Sequence, residues 1–143
     1  MKAKYNPPYI IILTIIALSN IIFSTYFISI LLVGVVFKIF LDALKKEYYY
    51  LLSFTIFIFL IIEVNQGFKL FSLSLISLFL YYFIIPKLKH LFSSSIMING
   101  TFILSFYLCL AIMIQFFDTL NLDIFLVFLT NFILDIFIIG FIL

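Results

Sequence analysis

Long apolar runs with hardly a charge inside them govern what this chain can become. From Tyr9 onward the sequence is a succession of Ile, Leu, Phe and Val, broken only by short clusters of charge, proline, glycine or asparagine. Where water is absent, the backbone of such a run must satisfy its own polar groups, which leaves helices or a closed barrel. Barrel strands alternate apolar with polar residues, whereas these runs are continuous. The fold class that fits is all-α: a polytopic bundle of short transmembrane helices. Composition agrees, being 67% hydrophobic and 10% charged, against about 25% charged for an ordinary soluble domain.

A spanning helix needs roughly 20 mostly apolar residues. Cutting the chain at its interruptions yields segments 9–23, 27–44, 48–62, 68–85, 96–117 and 122–143, together one transmembrane domain over residues 1–143. Pro7 and Pro8 suit a helix entry, where a missing N–H costs nothing. Met1, Lys2 and Lys4 before an apolar run resemble a secretory signal, but more spans follow, so an uncleaved first helix is expected. Only Ser24-Thr25 separates the first two segments, and one long bent helix is the alternative there.

Lysine placement favours six spans, because cytoplasmic loops collect basic residues. With a cytoplasmic N-terminus, Lys2, Lys4, Lys45, Lys46, Lys87 and Lys89 all fall inside, and Lys38 lies toward the inner end of the second span. Lys69 alone falls outside, with Glu63, Asp118 and Asp123 in outer loops, and both chain ends are cytoplasmic. Merging the first two spans would move Lys87 and Lys89 to the wrong side. Tyr48, Tyr49, Tyr50, Tyr81 and Tyr82 sit where interfacial aromatic residues belong.

The function classes excluded are broad. No phosphate-binding glycine loop, Ser-His-Asp set or paired histidines is present, so neither an enzyme nor a cofactor-dependent protein is expected. His90, the single histidine, reads as a solvated residue of a basic loop, and Cys109 as a small residue in an apolar run. The lysines are too dispersed for nucleic-acid binding.

Ionisable residues inside spans are the informative ones, since a mid-bilayer charge costs several kcal/mol unless paired, solvated or used. Gly34, Lys38 and Asp42 recur at helical spacing on one face of the second span, and Asn131 and Asp135 share a face of the sixth. These faces are expected to pack into a polar cluster of Lys38, Asp42, Asn131 and Asp135. Stapling of helices and snorkelling of Lys38 compete there with a functional site. Ala17, Asn20 and Ser24, then Ser74, Ser77 and Tyr81, then Thr101, Ser105, Cys109 and Gln115 form faces suited to ordinary helix packing. The third span, with little besides Ser53 and Thr55, is expected to face lipid or an apolar partner helix. In the outer turn after it, Glu63 closes one helix, Gly67 opens the next, and Lys69 is placed to neutralise Glu63.

At Glu63, Gly67, the apolar run 68–85, and Lys87 with Lys89, the chain resembles the rod shape-determining protein MreD family. That family has an acid ending a central span, a short glycine-containing turn, and an apolar span closed by basic residues. The likeness covers about 30 residues; elsewhere it is one of length, span count and missing soluble parts. It departs from the family in having Glu63 for the usual aspartate, Phe and Ile for small residues before it, and no proline in the turn. The resemblance implies a non-enzymatic scaffold of the bacterial inner membrane. Its partners would be MreC and the elongation complex, and its role to couple MreB filaments to peptidoglycan synthesis and cell shape.

From the residues alone, an assembly protein binding partner transmembrane helices competes with a small transport component, either a substrate-binding membrane subunit or a permease. Transport predicts that Lys38, Asn131, Asp135 and Gln115 line a cavity. Assembly predicts a sealed contact. A holin or small toxin ranks last, since it would have fewer spans and a more charged tail.

Overall fold

The computed structural model describes residues 7–25, 32–89, 95–117 and 122–142, and it contains no strand among them. Lys2, Lys4, His90, Asp118 and the stretch 27–31 expected to open the second span lie outside this set. Helix α1 is Pro7–Thr25, α2 is Val33–Lys45 and α3 is Tyr49–Gln66. Helix α4 begins as Ser72–Phe79, passes through a π-helical turn at Leu80–Ile84 and continues over Ile85–Lys89. Helices α5, Ser95–Phe117, and α6, Leu122–Ile142, complete the order. Four of these helices, α1, α3, α5 and α6, are long and apolar enough to cross a membrane. The described residues form an all-helical bundle of the kind a polytopic membrane protein has.

The centre of the bundle is α2. At 13 residues it is about 20 Å long, short of the ~30 Å hydrocarbon core. It buries Val33, Gly34, Val35, Val36, Phe37, Ile39, Phe40, Leu41 and Ala43, and only the stripe of Lys38 and Asp42, half-buried, interrupts that apolar surface, so most of its circumference belongs inside the protein. Helices α3, α4, α5 and α6 pack around it, while α1 lies outside against α3. Phe37 stacks on Phe106 of α5 with ring centroids 4.6 Å apart, and Phe59 of α3 closes the same aromatic core beside Phe40 and Phe106.

Several expectations change here. Within the described residues the second helix starts at Val33, after Leu32 in a left-handed conformation with φ 48° that ordinary helix cannot continue through; the expected start near residue 27 lies outside them. Of the two surroundings expected for the third helix, lipid or an apolar partner helix, its inner face takes the second. It packs on α1, α2 and α4, burying Leu51, Thr55, Ile58, Phe59, Ile62 and Glu63. Apolar residues on all its sides conceal the inner face, and the aligned Thr55, Phe59 and Glu63 are what mark it.

The fourth helix outlasts Pro86, which was expected to end it. A proline ring crowds the carbonyl four residues back and offers it no N–H. The π-helical turn just ahead of Pro86 widens the backbone and lets the helix restart, as such turns do elsewhere.

Gly67 closes α3 instead of opening α4. It sits at φ 73°, and its N–H, followed by that of Phe68 at 2.9 Å, returns to the Glu63 carbonyl. A Cβ at Gly67 would meet nothing within 4 Å, so substitution is charged only for the left-handed backbone. Gly67→Ala is therefore expected to cost about 1 kcal/mol, and Gly67→Asn visibly less, by thermal unfolding in detergent.

Candidate functional site

A helix leaves its first amides without partners inside itself, and in an apolar interior those groups must be met from elsewhere. Two helices of this bundle, α2 and α4, face that difficulty. Each is preceded by an apolar residue in the left-handed region, Leu32 at φ 48° and Phe71 at φ 64°, with no side-chain cap of its own. A buried acid from another helix supplies the acceptor in both cases.

For α2 the acceptor is Asp135 of α6, which is 0% exposed. Its Oδ2 receives the Gly34 N–H at 2.9 Å and the Tyr107 hydroxyl of α5. The positive end of α2 thus points at a carboxyl group, the favourable sense of the helix dipole. Gly34 makes the approach possible. A Cβ there would stand 2.5 Å from Asp135 Oδ2 and 2.8 Å from Ile103 Cγ2. Tyr107 is held by ring contacts with Phe106, Phe128 and Phe132. The second carboxyl oxygen, Asp135 Oδ1, is buried without a hydrogen-bond partner. One turn earlier Asn131, 1% exposed, donates through Nδ2 to the Val127 carbonyl at 2.8 Å.

For α4 the acceptor is Glu63, also 0% exposed. Oε2 receives the Phe71 N–H at 2.7 Å, while Oε1 receives the Leu73 N–H at 2.6 Å and the Ser72 hydroxyl at 3.3 Å. The acid expected to close a helix at a tight outer turn is thus an interior fastening between α3 and α4.

The four-residue cluster expected from spacing divides in two. Gly34, on the expected face of α2, meets Asp135. The Lys38 ammonium instead donates to Asn99 Oδ1 of α5 at 2.9 Å and lies 3.5 Å from Asp42. Contacts of Gly34 with Ile103 and of Lys38 with Asn99 show α2 and α5 running antiparallel. One helical turn, about 5.4 Å, separates the two contacts. Exchanging the charges, Lys38→Asp with Asp135→Lys, is accordingly expected to rescue neither single change. Lys38→Met should cost no more than about 1 kcal/mol, the range of a partly solvated i,i+4 pair, read as detergent-melting temperature.

Asn99 and Tyr107 escape the sequence reading. Their spacing of two helical turns puts them on one face of α5, which is the signal that could have found them. The conformations of Leu32 and Phe71 carry no such signal. Of the other polar positions, Asn20, Ser74 and Ser77 are buried, Cys109 is half-buried and Gln115 is exposed. No group of His, Cys, Asp and Glu among the described residues could hold a metal ion.

Chemically, the arrangement joins helix starts to neighbouring helices through buried acceptors. Comparison with protein-family models, with curated proteins and with solved structures finds no match to this chain.

Proposed function

We propose that the protein is a non-enzymatic scaffold of the bacterial inner membrane, similar in role to MreD. In this reading its helices lie in the bilayer with both chain ends in the cytoplasm, and it assists the elongation machinery in peptidoglycan synthesis and cell shape. One observation carries the choice of a scaffold: the interior polar residues are buried or engaged within the bundle, Asp135 in fastening α2 and Asn131 on its own helix. Asp135 and Asn131 are 0% and 1% exposed, Lys38 is engaged by Asn99 and Asp42, and Gln115 points outward. A sealed contact supports assembly, where transport called for a polar-lined cavity. Outward faces such as Ile11, Ile15, Leu18 and Ile22 on α1, and Ile133 and Phe137 on α6, are then the surfaces for partner helices. The link to the elongation machinery rests on the resemblance around Glu63 and Gly67.

Asp135 Oδ1 favours the second reading, a small transport component, because an unpartnered buried acceptor is also what a ligand group would use. Depletion in the native bacterium, followed by microscopy, separates the two. Photo-crosslinkers at Ile15 and Phe137, with buried Phe106 as control, identify neighbours. Rounded cells and crosslinks to an MreC-like protein are expected. Normal rods with no elongation partner would overturn the scaffold reading.

A further inference from the structure

The ends of this bundle differ in chemistry, and chain direction says which residues share an end. Helix α2 finishes at Lys45 just before α3 starts at Tyr49. The Glu63 cap brings the end of α3 to the start of α4, so chain direction carries the segment Ile85–Lys89 toward the end of the bundle that holds the α2–α3 turn. The start of α5 is there too. Asn99 binds Lys38, the Lys45 ammonium lies 5.9 Å from the Phe102 ring centroid, and Ile85–Lys89 packs on α5.

At this end Lys45, Lys46 and Lys87 are exposed. Beside them Tyr49, Tyr50 and Tyr82 are 63%, 69% and 65% exposed. Among the described acids of this end, Asp42 is taken up by Lys38 and Glu47 is exposed next to Lys46. The opposite end has its Glu63 sealed inside, with Asp123 and Lys69 exposed.

We infer that the Lys45–Lys46–Lys87 rim is a binding face for anionic phospholipid headgroups. The lysines do not converge on a pocket, as a soluble anion would require. They form a rim directly above exposed tyrosines, whose apolar bodies and hydroxyl tips belong at the headgroup level. Phosphates bind the ammonium groups, and Tyr49, Tyr50 and Tyr82 set the depth. Lys45 keeps its stem laid toward Phe102, holding one cation in place. The inference rests on the membrane reading of the chain and is independent of the scaffold proposal.

The test uses the full chain in mild detergent with equal amounts of phosphatidylglycerol and phosphatidylcholine of matched acyl chains, retained lipid being counted by native mass spectrometry. Phosphatidylglycerol should be retained several-fold over phosphatidylcholine. Each lysine changed among Lys45→Gln, Lys46→Gln and Lys87→Gln should reduce that ratio by up to about fivefold, and added salt should reduce it as well. Lys69→Gln at the other end should leave it unchanged, and Glu47→Gln should raise it, a gain that a damaged fold would not mimic. Equal retention of both lipids by the unaltered protein would overturn the inference. So would equal loss on Lys69→Gln, or displacement of phosphatidylglycerol by inorganic phosphate at the same concentration.

Discussion

Asp135→Ala is expected to destabilise the folded bundle by about 3 kcal/mol, since each buried donor left unsatisfied costs roughly 1–3 kcal/mol. The Gly34 amide and the Tyr107 hydroxyl both lose their acceptor. The two losses are unequal. Side-chain hydrogen bonds between membrane helices average only about 0.6 kcal/mol, because the separated helices find other partners. Tyr107→Phe is therefore expected to cost about 1 kcal/mol. The Gly34 amide is different: it opens a helix in an apolar interior beside Ile103, with Asp135 Oδ2 as its acceptor. Asp135→Asn keeps shape and an accepting oxygen and should cost about 1 kcal/mol by the same reckoning. Gly34→Ala attacks the contact from the other side by overlap, at about 2 kcal/mol. Combined with Asp135→Ala its cost should fall below the sum, since the carboxyl it strikes has gone. Unfolding free energies in detergent or bicelles check the ranking. Equal costs for Asp135→Ala and Tyr107→Phe would mean that the amide does not depend on the carboxyl group.

Glu63→Ala is the second large effect, again about 3 kcal/mol, but with a local signature. It removes the acceptor for the Phe71 and Leu73 amides and for the Ser72 hydroxyl at one stroke. Hydrogen exchange should accelerate at residues 71–73 while the remainder of α4 stays protected. Glu63→Gln retains one accepting oxygen and turns an amide toward donors, so it falls between. Glu63→Asp is a methylene shorter, reaches one of the two amides, and is expected to fall near Gln. A uniform rise in exchange across all helices would instead make Glu63 a general packing residue.

The membrane architecture is legible in the sequence because a continuous apolar run leaves its backbone no partner but itself. Segments 9–23, 96–117 and 122–143 lie within two residues of Pro7–Thr25, Ser95–Phe117 and Leu122–Ile142. Inward faces are much less legible. When every side of a helix is Ile, Leu or Phe, periodicity carries no direction, and for α3 that leaves lipid and an apolar partner helix as equal expectations. Polar residues are the remaining guide. Gly34 meets Asp135 and Lys38 lies beside Asp42, but across helices Lys38 meets Asn99 and not Asp135, since spacing along one helix says nothing of the register against another. Ending the third helix at Ile62 treated Glu63 as a terminator. A charge ends an apolar run, yet within a bundle it can continue the helix and be the residue that another helix needs. The left-handed starts at Leu32 and Phe71 fall on residue types that do not favour that conformation, so composition could not have announced them.

The two caps also differ in when they can form during synthesis. Glu63 and Leu73 are 10 residues apart, so that contact closes as soon as one hairpin is made. Gly34 must wait for Asp135, 101 residues later, a delay of about 5–20 s at ordinary translation rates. Throughout that interval α2, too short to cross lipid alone, has an open first turn. Its place in the bundle is completed by a helix made 101 residues later, which makes assembly of this chain an ordered process in which the central piece is secured late.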